Sequence, residues 1–205
     1  MIFTDEIKKQ ITQNDTVMKV IVDTIPKPEI ISTGNVFHDI MSCILEQQIH
    51  YRSTKRTFEK MLKTAEIREL TMDNFKQFEE KAFMNLKLSA NKYETILQTV
   101  EFFQTNVIEL EQLPDQAIKK LLTKIKGVSN WTVEMLLIYT FGRITVFPSD
   151  DYHLKQIMTK LYEIPPEAKL KASMKAIAEN WGKYQSTAVL YLLEWKRIMK
   201  LERPQ

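Results

Sequence analysis

Apolar residues recur along this chain at helical spacing, and the breaks between runs carry residues that start and stop helices. Ile7 and Ile11 mark a short first helix. Asn14-Asp15 sits where a cap belongs for a second, running through Val17, Val20 and Ile21. Pro26-Lys27-Pro28 then forces an extended break. The pattern next predicts a long helix from Val36 to about His50. Val36, Phe37, Ile40, Met41, Ile44 and Leu45 share one of its faces, and Glu46-Gln47-Gln48-Ile49-His50 closes it with a polar cluster. Ser53 caps a helix over Thr57 to Leu62, Thr71 one over Phe75 to Lys81, and Ser89 one carrying Tyr93, Ile96, Leu97, Val100 and Phe103.

The densest signal lies between residues 115 and 155. Pro114-Asp115 starts a helix to Lys124, with Ile118, Leu121 and Leu122 inward. It runs into the tight turn Lys126-Gly127-Val128-Ser129, and a further helix follows from about Asn130 to Phe141. Pro148-Ser149 opens another helix with Asp150 and Asp151 in its first turn, and Leu154, Ile157, Met158 and Leu161 form its core stripe. Pro165-Pro166 end it, and Ala172 to Trp181 and Ser186 to Met199 are two closing helices. A glycine-containing turn between helices points backbone N–H groups outward at a helix N-terminus, where a phosphate can sit.

Composition agrees with an all-α protein: 205 residues hold only four glycines, with few alternating β-branched runs. One cysteine, Cys43, excludes a disulfide framework and a cysteine-held zinc or iron–sulfur cluster. No apolar run approaches the roughly 20 residues of a membrane span, and the N-terminus lacks a signal-peptide pattern. The reading is a reduced, cytoplasmic compartment (nucleoid-associated in a bacterium, nuclear in a eukaryote). A net charge of +3 permits nucleic acid without demanding it; if DNA is the partner, the grip must come from a few placed contacts. His38, His50 and His153 show no metal-ligand spacing.

These residues resemble the helix-hairpin-helix-Gly/Pro-Asp superfamily of DNA glycosylases, and within it the 3-methyladenine DNA glycosylase II branch. The likeness rests on Ile125-Lys126-Gly127-Val128-Ser129-Asn130-Trp131-Thr132 and on Pro148-Ser149-Asp150-Asp151-Tyr152-His153-Leu154-Lys155-Gln156. Ile44-Leu45-Glu46-Gln47-Gln48-Ile49, Leu88-Ser89 with Lys92, and Trp181 with Tyr184, Ser186 and Ala188 support it. Two positions depart from the family hairpin: Lys126 stands for its opening proline and Ser129 for its second glycine. There is no room for the extra N-terminal domain of some bacterial members, so the resemblance is to a minimal form.

The resemblance implies an all-α fold of two helical lobes with an active-site cleft between them. Residues 36–140 would form one lobe, containing the helix-hairpin-helix at about 115–141, and residues 1–35 plus 141–205 the other. It implies a monofunctional N-glycosylase that flips and excises alkylated purines, 3-methyladenine first and 7-methylguanine as a further candidate, from double-stranded DNA. The protein would act as a monomer and without a cofactor. Helical periodicity alone puts Asp150 slightly nearer the core stripe; the family pattern selects Asp151 as catalytic, with His153 and Leu154 at the expected spacing. A carboxylate about 4 Å from an oxocarbenium-like sugar, at an effective dielectric near 20, is worth roughly 4 kcal/mol.

Trp131 occupies the place where bifunctional relatives carry a lysine nucleophile, so no Schiff base is expected. Trp131 and Tyr152 could stack on a cationic base or simply pack, and Met135 and Leu193 stand where relatives often carry aromatics. Gly127, Val128, Ser129 and Asn130 would offer backbone N–H groups to phosphate, with Lys126 and Lys124 nearby. Gln48 or Ile49 would wedge into the gap left by the flipped base. Carbonyls of Thr123, Ile125 and Val128 would seat a sodium or potassium ion. Lys119, Lys120 and Lys124 read equally well as a solvated face. Two other functions stay open: a noncatalytic hairpin protein that senses damage, and a glycosylase for deaminated or oxidised bases.

Overall fold

The computed structural model describes residues 3–30, 32–45, 55–83, 88–106 and 108–201. Among them the regular structure is entirely helical. Eleven α-helices follow in order: α1 Asp5–Thr12, α2 Thr16–Thr24, α3 Val36–Leu45, α4 Lys55–Thr64, α5 Phe75–Phe78, α6 Ala90–Thr105, α7 Asp115–Leu122, α8 Asn130–Tyr139, α9 Tyr152–Leu161, α10 Leu170–Glu179 and α11 Gln185–Leu201. α5 runs into a π-helical turn, Glu79–Phe83. The helix starts follow side-chain caps, which satisfy N–H groups that have no partner within the helix. Thr4, Asp15 and Ser89 accept the N–H groups of Ile7, Met18 and Lys92.

The chain forms two compact units. One takes the chain up to Ile30 together with the chain from Gly142; the other takes Ile31–Phe141.

In the first unit α11 packs on α9 and α2, and α9 on α10. A buried polar knot holds its centre. Asp15 is 6% exposed; its Oδ1 caps α2, while Oδ2 accepts the Tyr162 hydroxyl at 2.7 Å and the Trp181 Nε1–H at 2.8 Å. One carboxylate thus satisfies three donors that would otherwise be buried unpaired, each at a cost of about 1–3 kcal/mol. Trp181 also meets Phe147 edge to face, and the Ser186 hydroxyl accepts the Val146 N–H and donates to the Val146 carbonyl. These contacts fix residues 146 and 147, directly before the acidic turn.

In the second unit α3 is buried nearly all round, consistent with an apolar helix at the centre of a domain. It packs on α6 and α8, and α7 packs on α8. His38 is buried, with Nδ1 accepting the Leu70 N–H at 2.9 Å, a structural role. Asp39 is buried too, accepting from Ser32 and Thr140 at 2.6 and 2.7 Å. The Lys92 ammonium reaches the Leu45 carbonyl at the end of α3. Tyr93 and Leu97, apolar positions of the α6 pattern, are 38% and 42% exposed, because Thr95, Ile96, Thr99 and Val100 form the buried face instead. Val20 is likewise exposed on α2.

Candidate functional site

α7, the turn and α8 form the hairpin in the second unit. Gly127 has φ +89°, a conformation that a Cβ disfavours. A second constraint acts at the same residue. A Cβ built there would overlap the Thr95 hydroxyl and lie 3.0 Å from Thr95 Cβ. Glycine is therefore required both by the turn and by the close approach of α6.

Ser129 has φ −86° and ψ 163°, ordinary extended backbone, so the missing second glycine imposes no strain. It is the N-cap of α8. Its hydroxyl accepts the Thr132 N–H at 3.2 Å and lies 3.1 Å from the Thr132 hydroxyl.

Val128 does not fit the expected phosphate role. Its N–H donates to the Ile125 carbonyl at 3.0 Å and its side chain is buried, because the turn closes on itself. Gly127, Ser129 and Asn130 lie exposed on the outer side of the turn. Of the three carbonyls expected to seat a cation, that of Ile125 already accepts the Val128 N–H.

The lysines are not a uniformly solvated face. Lys119 pairs with Glu134 at 2.9 Å, both partly buried, and so bridges α7 to α8. Lys126 pairs with Glu94 of α6 at 2.7 Å. Lys124 is exposed. On α8, Trp131 is half-buried and Met135 is 1% exposed within the unit's core. The wedge candidates Gln48 and Ile49 lie outside the described residues, as does the polar end of the long helix expected to reach His50.

In the first unit the acidic helix begins later than the pattern suggests. The Ser149 N–H donates to the Phe147 carbonyl and the Asp151 N–H to the Pro148 carbonyl, so Pro148 to Asp150 form a turn and α9 starts at Tyr152. Asp151 is the N-cap, not a first-turn residue, with φ −61° and ψ 125°. This reverses the burial order that periodicity favoured. Asp151 is 4% exposed, and its Oδ1 accepts the Leu154 N–H at 2.6 Å. Asp150 points outward to Lys171 and Lys155, at 2.5 and 2.9 Å. Its hydrogen bond to Lys171, then that to Lys155, holds its carboxyl below the usual carboxylate range. Periodicity fails here because a capping residue does not lie on the helical wheel.

Tyr152 is 64% exposed, its hydroxyl accepting from the Gln156 amide at 2.7 Å. The Lys196 ammonium of α11 sits 5.8 Å from the Tyr152 ring centroid and 2.9 Å from His153 Nδ1. His153 therefore takes part in a hydrogen bond to Lys196; among the described residues no group of three metal-ligating side chains occurs. Leu193, on the same helix as Lys196, is half-buried.

Three contributors were invisible to sequence reasoning: Thr95 and Glu94, which meet the hairpin, and Lys196, which meets the acidic turn. Each acts across more than thirty residues of chain, and no local spacing signals such a contact.

Comparison with known proteins agrees with this anatomy. The family model described as HhH-GPD superfamily base excision DNA repair protein matches residues 41–183, more than half of the chain. A Bacillus subtilis protein provisionally named a DNA-3-methyladenine glycosylase is 26% identical over 181 residues, covering 80% of this chain. The chain spans 59% of that relative's length. DNA-3-methyladenine glycosylase 1 of Schizosaccharomyces pombe is 23% identical over 175 residues, covering 82% of this chain and 75% of the relative. Among solved structures, the Schizosaccharomyces pombe 3-methyladenine DNA glycosylase in complex with abasic DNA superposes with a TM-score of 0.79 at 21% identity, over 98% of this chain and all of the other.

Proposed function

The chain belongs to the HhH-GPD superfamily of base excision DNA repair proteins, and from that membership we propose that it is a monofunctional DNA N-glycosylase for alkylated purines. The observation that carries this reading is Asp151: a buried carboxylate, aimed by one 2.6 Å hydrogen bond at the start of α9. The relatives' names supply the substrate, 3-methyladenine.

The chemistry follows from the bond broken. Cleaving C1′–N leaves electron deficiency on the sugar, and a fixed anion about 4 Å away stabilises it by roughly 4 kcal/mol, about a thousandfold in rate. A cationic methylated base departs readily and needs no strong acid. Water then adds at C1′ and gives up a proton, leaving an abasic site and the free base. Asp151 stabilises the charge, and Tyr152, exposed beside it, offers an aromatic face for a flipped cationic base. Trp131 carries no amine, so no Schiff base forms and the strand stays intact.

The hairpin unit grips the backbone through the N–H groups of Gly127, Ser129 and Asn130, with Lys124 adding charge. A sodium or potassium ion on the carbonyls of Thr123, Ile125 and Val128 would stiffen the turn. The protein works as a monomer on double-stranded DNA, wherever the cell keeps its genome.

The test is a set of duplexes carrying 3-methyladenine, 7-methylguanine, hypoxanthine, uracil or 8-oxoguanine. Methylated purines should yield abasic product, with strand cleavage only after alkali and no borohydride-trapped adduct. Product from uracil or 8-oxoguanine alone would reassign the substrate. No product from any duplex, with DNA binding intact, would leave a damage-sensing protein.

A further inference from the structure

The cation nearest the hairpin turn is already occupied. Lys126 lies 2.7 Å from Glu94, and the two side chains are 71% and 47% exposed. Glu94 is held at this place by its neighbour: Thr95 packs against Gly127, so α6 meets the turn at the point where a phosphate would dock. The other hairpin pair, Lys119 with Glu134, is much less exposed and braces α7 to α8. An exposed pair is weak and exchanges partners freely, whereas a partly buried brace does not.

We propose that Glu94 stands in for a DNA phosphate on Lys126, so that DNA takes this lysine only by exchange and Glu94 shortens the protein's dwell on undamaged duplex. The inference rests on the DNA-binding reading above. When a phosphate captures Lys126, Glu94 is left facing a like charge and takes up a cation from solution. That uptake opposes the counterion release that drives binding. The effect is the same for any sequence, because only the backbone is involved.

The experiment measures binding of the full chain to undamaged and abasic-site duplexes between about 50 and 200 mM salt. Wild type, Glu94→Gln, Lys126→Gln and the double variant are compared. Glu94→Gln should bind both duplexes about three- to fivefold tighter at the lowest salt, the scale of an exposed pair. It should also steepen the slope of log affinity against log salt by about 0.9. Lys126→Gln should remove both gains. A merely structural role for Glu94 would change the melting temperature and leave the slope alone, which overturns the proposal. So does an equal gain in the Lys126→Gln background, since that reports only the loss of one negative charge. If wild type binds and excises normally while Glu94→Gln matches it, the exchange idea fails and the glycosylase reading stands. If wild type binds neither duplex, both fall.

Discussion

Two turns, one in each unit, share a local design and differ in what surrounds them. Ser129 and Asp151 are both N-caps, and each accepts the N–H three residues on, at 3.2 and 2.6 Å. Ser129 is neutral and exposed, with Gly127 and Asn130 exposed beside it, and an anion is what such a helix start attracts. Asp151 bears a carboxyl and is buried, so in the proposed reaction its turn would supply the anion and attract a cation. Burial and one side-chain charge convert the same capping geometry from an anion receiver into an anion source. That division of labour, phosphate grip on one turn and sugar-cation stabilisation on the other, is the basis of the proposed reaction.

Substitutions can break this contrast, the strongest at Asp151. Asp151→Asn keeps a competent cap and removes the charge, so excision of methylated purines should fall by roughly a thousandfold. Binding to abasic duplex and thermal stability should hardly change. Asp150→Asn, whose target is exposed and tied to two lysines, should leave excision intact when assayed in parallel.

Gly127→Ala comes next. It combines a positive φ with overlap of Thr95, and should cost about 2–4 kcal/mol of stability in denaturant titrations. Adding Thr95→Ala should recover only part, because the Thr95 Cβ contact and the backbone strain remain.

The acidic turn also depends on the knot beneath it, which alkaline titration can probe. Burial first, then the charge and hydrogen bond of Asp15, raise the Tyr162 hydroxyl far above its ordinary range. With a folded value above the unfolded one, the stabilisation is complete below about pH 10 and declines above it, by up to about 1.4 kcal/mol per pH unit. Tyr162→Phe should make that alkaline decline shallower, measured by denaturant unfolding across the pH series, and leave the part due to Tyr191, whose hydroxyl burial also raises; it should lose about 1 kcal/mol near neutrality.

The smallest effect belongs to Ser129→Gly. It restores the family's usual residue but loses a cap, and should cost only a few tenths of a kcal/mol. A large loss in the same unfolding assay would show that the hydroxyl does more than cap.

Much of this was legible in one dimension. Ser89 and Asp15 mark helix starts because capping is a contact between near neighbours, Pro114 does so through its fixed φ, and α3 declares itself by an apolar face. The hairpin was readable for the same reason: a glycine turn that leads straight into a helix start is a local requirement. Asp151 marks the border of that legibility. Its identity came from the resemblance, while periodicity pointed to Asp150 and misplaced the helix start by several residues. Whether a residue before a helix is buried depends on what folds around it, and the chain just before this turn is anchored by Ser186 and Trp181, thirty or more residues away.

By itself, then, the order of residues dictated the helices, the turn chemistry and the candidate acid pair, since each arises from interactions spanning a few positions. Only folding in three dimensions decided which aspartate is enclosed, which lysines are already paired and why Gly127 admits no side chain. Those outcomes depend on contacts between distant segments, and such contacts leave no periodic trace along the chain.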